Sequence, residues 1–125
     1  MIVLHGTSLG SGVAARLACE ISPDALILET PYYSFAQLIN VHYPYLPAKI
    51  LSKYKLRTHK FLKKLDCPVY LFHGTDDELV PFNCSVRLSE LGENIILVKV
   101  KNGAHNNLPD YPIYQESLKR LLDQL

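Results

Sequence analysis

Four short apolar runs, residues 2–5, 25–29, 68–73 and 95–100, alternate with stretches that read as helix, and this alternation constrains the fold more than any other feature. The runs are continuous in Val, Ile and Leu rather than alternating with polar residues, as expected of strands covered on both faces. Between them, residues 9–21 carry small and apolar side chains at helical spacing and stop before Pro23. Residues 81–91 open on Pro81 and are followed by Gly92, the expected punctuation of a helix. Residues 111–125 place Leu118, Leu121, Leu122 and Leu125 on one stripe. Strand alternating with helix implies a parallel sheet built from right-handed crossovers. The expectation is an α/β fold: a four-stranded parallel sheet in chain order with flanking helices. Three crossovers running in one direction put their helices on one face, leaving the final helix for the other. The first strand becomes a bare edge, open to pairing with a second copy.

A chain of 125 residues fits one domain with a substantial core. Thirteen basic against twelve acidic residues give a net charge of +1, which argues for no nucleic-acid partner. The apolar runs are too short to cross a membrane. Met1 leads straight into a strand without a basic leader, and Cys19, Cys67 and Cys84 are scattered with no CxxC pair. A cytoplasmic protein with reduced thiols and no metal site is the expectation.

Residues 30–66 differ from the rest. Tyr32, Tyr33, Phe35, Tyr43, Tyr45 and Tyr54 fall here, cut into short pieces by Pro31, Pro44 and Pro47, which suggests two or three short helices. No acid lies between Glu29 and Asp66, yet seven of the thirteen basic residues do, from Lys49 to Lys64. Residues 49–64 read either as a solvated face whose acidic partners lie elsewhere, or as peripheral contact with an anionic membrane surface or acyl substrate.

Three loops carry chemistry. Gly6-Thr7-Ser8-Leu9-Gly10 follows the first strand and opens a helix rich in Gly and Ala. A strained strand-to-helix turn of this kind presents a nucleophile, although a glycine-rich turn binding an anion would have a similar sequence. His73-Gly74-Thr75-Asp76-Asp77-Glu78-Leu79-Val80-Pro81 follows the third strand, with Asp76 and Asp77 competing as the carboxylate that faces the crevice. Asn102-Gly103-Ala104-His105-Asn106-Asn107 follows the fourth. Serine, acid and histidine thus arrive in that order, all at the C-terminal ends of strands.

With these motifs the chain resembles the α/β-hydrolase superfamily, specifically single-domain serine-aminopeptidase-like and acyl-thioesterase-like serine hydrolases. GTSLGSG resembles the nucleophile elbow, HGTDDELVP the acid turn, GAHNN the histidine loop, and LETPYYSF the segment after the next strand. The resemblance covers essentially the whole chain and corresponds to the C-terminal half of the family fold. It implies Ser8 as nucleophile, Asp77 as acid, His105 as base, and the Leu9 N–H as an oxyanion donor, with no metal or organic cofactor. The substrate would be a small-molecule or acyl ester, thioester or amide. Residues 30–66 would form a cap or variable insertion, with Tyr32, Phe35 and Leu79 nearest the serine. The strands that the family places before the elbow, and the second oxyanion amide supplied there, have no counterpart. The alternative is therefore a non-catalytic fragment or an assembly module that associates through its first strand.

Overall fold

A computed structural model describes residues 1–51, 53 and 55–125; Tyr54 of the aromatic stretch lies outside the described residues. The elements run β1 (Val3–Thr7), α1 (Leu9–Ile21), β2 (Ala25–Glu29), α2 (Phe35–His42), α3 (Ala48–Leu51), α4 (Thr58–Leu62), β3 (Val69–Gly74), α5 (Asn83–Ser89) and β4 (Ile95–Val100). A 3₁₀ turn (Leu108–Asp110) and α6 (Pro112–Asp123) complete the order. All strands are parallel and lie in the order β1-β2-β3-β4.

The expected α1, β2 and β4 coincide with the observed elements; β1 does not. The expected run, residues 2–5, becomes Val3–Thr7, because pairing with the five residues of β2 carries the strand on until Thr7 lies opposite Glu29. The Ser8 N–H then donates to the Glu29 carbonyl at 2.9 Å, so the ladder reaches the turn itself. Helix α5 is shorter than residues 81–91 because Pro81 and Phe82 form an entry turn, accepting from the amides of Cys84 and Ser85.

The handedness rule explains how the sheet is covered. On one face Leu26, Leu28, Val69, Leu71 and Ile95 pack with Ala14, Ala15 and Ala18 of α1, Leu62 and Leu65 at α4, and Leu88 of α5. On the other, Ile27, Phe72 and Val100 meet Leu108, Tyr114 and Leu121 from the 3₁₀ turn and α6, with Tyr111 and Leu118 packed against them. Three crossover helices thus share a face, and one helix serves the opposite face. That second face is correspondingly thin: Ile96 is exposed, and Val3, Tyr70 and Val98 are half-buried. The leucine stripe of α6 is also wider than its seat. Leu121 is buried and Leu118 half-buried, whereas Leu122 and Leu125 face solvent.

The middle stretch divides in two. Helix α4 buries Thr58 and Leu62 and serves as the β2–β3 crossover, whereas α2 and α3 bury no residue and project outward. Ser34 starts the projection, its Oγ accepting from the Gln37 N–H at 3.1 Å as an N-cap.

The loops after β3 and β4 are fastened backbone to backbone. The Asp76 N–H donates to the Gly103 carbonyl at 2.9 Å, and the Asn102 N–H to Thr75 Oγ1 at 2.8 Å. A Cβ on Gly74 would stand 2.1 Å from the Gly103 oxygen, so no other residue allows this approach. Gly74→Ala is expected to force the two loops apart and to destabilise the fold by about 1–3 kcal/mol, as overpacking against backbone does. Urea unfolding of the variant beside the parent chain measures this, and a shift under a few tenths of a kcal/mol would contradict it.

Candidate active site

The turn from β1 into α1 holds Ser8 at φ 52°, ψ −118°, a left-handed conformation that costs on the order of 1–3 kcal/mol for a residue with a side chain. The turn closes because position 6 is glycine: a Cβ there would lie 2.6 Å from both Ala14 Cβ and the Gly10 carbonyl oxygen. Although Ser8 occupies the N-cap, its hydroxyl does not cap the helix. Ser11 Oγ–H instead donates to the Ser8 carbonyl at 2.6 Å, pinning the backbone and leaving the Ser8 side chain to point elsewhere. It points at His105: Oγ lies 2.9 Å from Nε2. Leu9 is the first residue of α1, so its N–H has no intrahelical carbonyl to bond.

Asp77 is the acid brought to the histidine. Its Oδ2 lies 2.9 Å and its Oδ1 3.2 Å from His105 Nδ1. A carboxylate only accepts, so Nδ1 carries the proton and the Nε2 lone pair is available to the Ser8 hydroxyl. Asp76 instead accepts from the Thr75 hydroxyl on the exposed side of the loop. The Asp77 side chain is fully enclosed, and its Oδ1 also accepts from the N–H groups of Leu79 (2.9 Å) and Val80 (2.8 Å).

Beneath it lies a residue that sequence reasoning left without a role. His73, at 0% exposure, places Nε2 at 3.3 Å from Asp77 Oδ2 and 2.9 Å from the Val80 carbonyl, with Nδ1 2.6 Å from Ser85 Oγ. The carbonyl can only accept, so Nε2–H is the donor. Burial by itself would raise the Asp77 pKa, but the bonds from His73, the Val80 amide and His105 outweigh it and hold the carboxyl at about 2. The available sequence signal was a histidine embedded in an otherwise apolar buried strand.

A second enclosed carboxylate ties the elbow to α6. Glu29, whose carbonyl takes the Ser8 N–H, accepts from the Tyr114 hydroxyl and lies 2.7 Å from His5 Nε2. Burial raises its pKa, but these two partners bring it below the ordinary carboxylate range, and the same bond pushes the His5 pKa up.

A groove of about 680 Å³ runs beside His105, lined by Leu79, Glu78, Asp76, Ala104 and Asn106 among others. Leu79 therefore lies where a substrate could touch it. Tyr32, expected in the pocket, is completely buried behind the elbow, because its hydroxyl donates to the Leu9 carbonyl at 3.0 Å. Phe35 packs its ring on Tyr32 at 5.8 Å between centroids and is not part of the groove lining. Among the described residues no group of three His, Cys, Asp or Glu is arranged to hold a metal ion.

A family model described as alpha/beta hydrolase domain matches residues 1–121. The uncharacterized protein Rv2307c of Mycobacterium tuberculosis is 32% identical over 126 residues, covering 98% of this chain and 45% of that protein. Lysophosphatidylserine lipase ABHD12 of Danio rerio is 31% identical over 108 residues, covering 72% of this chain and 28% of the lipase. Among solved structures, Est1E from Butyrivibrio proteoclasticus superposes with a TM-score of 0.76 at 21% identity, over 98% of this chain and 60% of that one. The chain thus spans less than half the length of these two sequence relatives. With nearly every residue inside the family match and the fold agreeing, the chain belongs to the alpha/beta hydrolase family.

Proposed function

We propose that this chain carries the catalytic side chains of a serine hydrolase that transfers an acyl group from a carboxylic ester to water. The observation that carries the reading is the unbroken line from Ser8 Oγ through His105 to Asp77, with both hydrogen bonds at 2.9 Å. As Ser8 Oγ attacks the carbonyl carbon, His105 Nε2 takes its proton, and Asp77 stabilises the resulting imidazolium. The Leu9 N–H donates to the oxyanion. His105 then returns the proton to the leaving alkoxide, an acyl-Ser8 remains, and water removes it by the same steps in reverse order. The printed name of a lipase relative favours an ester over a thioester or amide.

A fluorophosphonate probe tests the nucleophile. Labelling is expected on Ser8, absent in Ser8→Ala and reduced about a thousandfold in rate in His105→Ala. A folded chain that takes no label would sink the proposal. It would favour a second reading, an assembly module, to which the bare β1 edge and the exposed Leu9, Val13 and Leu17 beside it point. Ester, thioester and amide panels with a common acyl group separate the three bond types.

The acid carries its own signature. Its pKa falls from an ordinary 3.8 to about 2 on folding, so the stabilisation it brings is complete above pH 4 and disappears as pH drops through 2. Removing His73 Nε2–H by His73→Phe is expected to raise that folded pKa, so that stability fades at higher pH. Activity should fall with it, whereas His73→Gln, which keeps a donor, should recover part of both. Acid titration of stability in the three proteins, each with its pH–rate profile, measures this. Unchanged profiles in a folded His73→Phe would show that the histidine only fills space.

A further inference from the structure

We infer that the projection formed by α2 and α3, together with the exposed basic residues that follow it, is a docking surface for an anionic lipid bilayer, placed to feed the groove beside His105. The inference goes beyond the reaction proposed above and does not depend on its chemistry.

Charge is the first observation. The seven basic residues between Lys49 and Lys64 stand in a stretch with no acid from residue 30 to residue 65. The rest of the chain holds all twelve acids and only six bases, so a molecule of net charge +1 is strongly polarised. Lys49, Lys53, Lys55, Arg57, Lys60, Lys63 and Lys64 are all exposed. Among the described residues, no carboxylate forms an ion pair with Lys53, Lys55, Arg57, Lys60, Lys63 or Lys64. A solvated face balanced by acids from elsewhere in the fold would show such pairs.

Apolar and aromatic exposure is the second. Val41 is 58% exposed, Tyr43 52%, Tyr45 77% and Ile50 40%, all within the same projection, and the rings of Tyr43 and Tyr45 pack edge to face. Tyrosines with a wet hydroxyl and an apolar ring suit the headgroup region of a bilayer, and adjacent lysines suit its negative surface potential. A nucleic acid or acidic peptide would use the charges but has less need of Val41 and Ile50. Continuity with the site is the third. The His42 ring meets the Leu79 carbonyl at 2.6 Å, and Leu79 lines the groove that His105 borders. Surface, cap and groove are therefore joined by one contact.

Sedimentation with phosphatidylcholine vesicles, with and without phosphatidylserine, tests the inference on the purified chain. Binding is expected only to the serine-containing vesicles and should weaken as salt rises. The triple variant Lys53→Gln, Lys55→Gln, Arg57→Gln should bind on the order of a hundredfold more weakly, at about a tenfold loss or less per charge. The control Lys101→Gln, Lys119→Gln, Arg120→Gln removes equal charge elsewhere and should change binding little. The chain contains no tryptophan, so Tyr45→Trp supplies a single reporter whose emission should shift to the blue on anionic vesicles. Equal losses in both triple variants, equal binding to neutral vesicles, or tight binding to duplex RNA with no blue shift on vesicles would each overturn it.

Discussion

The Asp77 carboxylate is the point on which the rest of the site depends. Within one turn it accepts from two backbone amides of its own loop, from His105 across the crevice, and from His73 beneath. Each bond settles a different matter. The amides of Leu79 and Val80 curl the loop after β3, and His73 anchors that loop to the strand from which it leaves. The last bond sets which nitrogen of His105 carries the proton. A buried carboxylate with fewer partners would be driven toward its neutral form, which could neither fix the imidazole tautomer nor stabilise its charge. The enclosure of Asp77 and the number of its donors therefore belong together.

The sheet delivers these groups because its strands are parallel and in register, so that turn, acid loop and histidine loop all leave from one edge. Parallel order also sets the liabilities of the molecule. Three like-handed crossovers spend their helices on one face, and among the described residues the second face is covered by the 3₁₀ turn and α6. The buried Glu29, held by Tyr114 of α6 and by His5 of β1, spans that thinner side directly under the elbow. It links the edge strand that bears the serine to the one helix available there. The strained Ser8 backbone is thus supported from both faces: Ser11 and Ala14 from α1, and the Glu29 strand end with α6 behind it.

Much of this was legible in the amino-acid order, and the reasons are local. Helix α1, β2 and β4 are bounded by Pro23, by turn residues and by sharp changes of polarity, so their ends could be read to the residue. Ser8, Asp77 and His105 each sit just beyond an apolar run, where topology alone brings them to one edge. What could not be read depends on contacts distant in sequence. The extension of β1 through Gly6 and Thr7 comes from pairing with β2, which no local pattern encodes. The family resemblance places Tyr32 near the serine, in a stretch expected to lie over the crevice. Only the fold shows its hydroxyl captured by the Leu9 carbonyl and its ring enclosed. His73 was visible as a residue but not as a donor, since its three partners lie four to twelve positions further along the chain.

The division of residues 30–66 follows from the same competition between local and distant demands. A crossover from β2 to β3 needs one amphipathic helix, and α4 with Leu62 and Leu65 satisfies that need. Helices α2 and α3, which bury no residue, are spared that duty, which is why this part can carry exposed tyrosines and a cluster of exposed lysines without unfolding the domain. Such residues raise the free energy of a protein alone in water, by exposing apolar area and by repulsion among like charges. A partner that is both apolar and negative removes both terms at once. The contact of His42 with the Leu79 carbonyl then makes whatever the projection touches a neighbour of the groove, and of the serine beyond it.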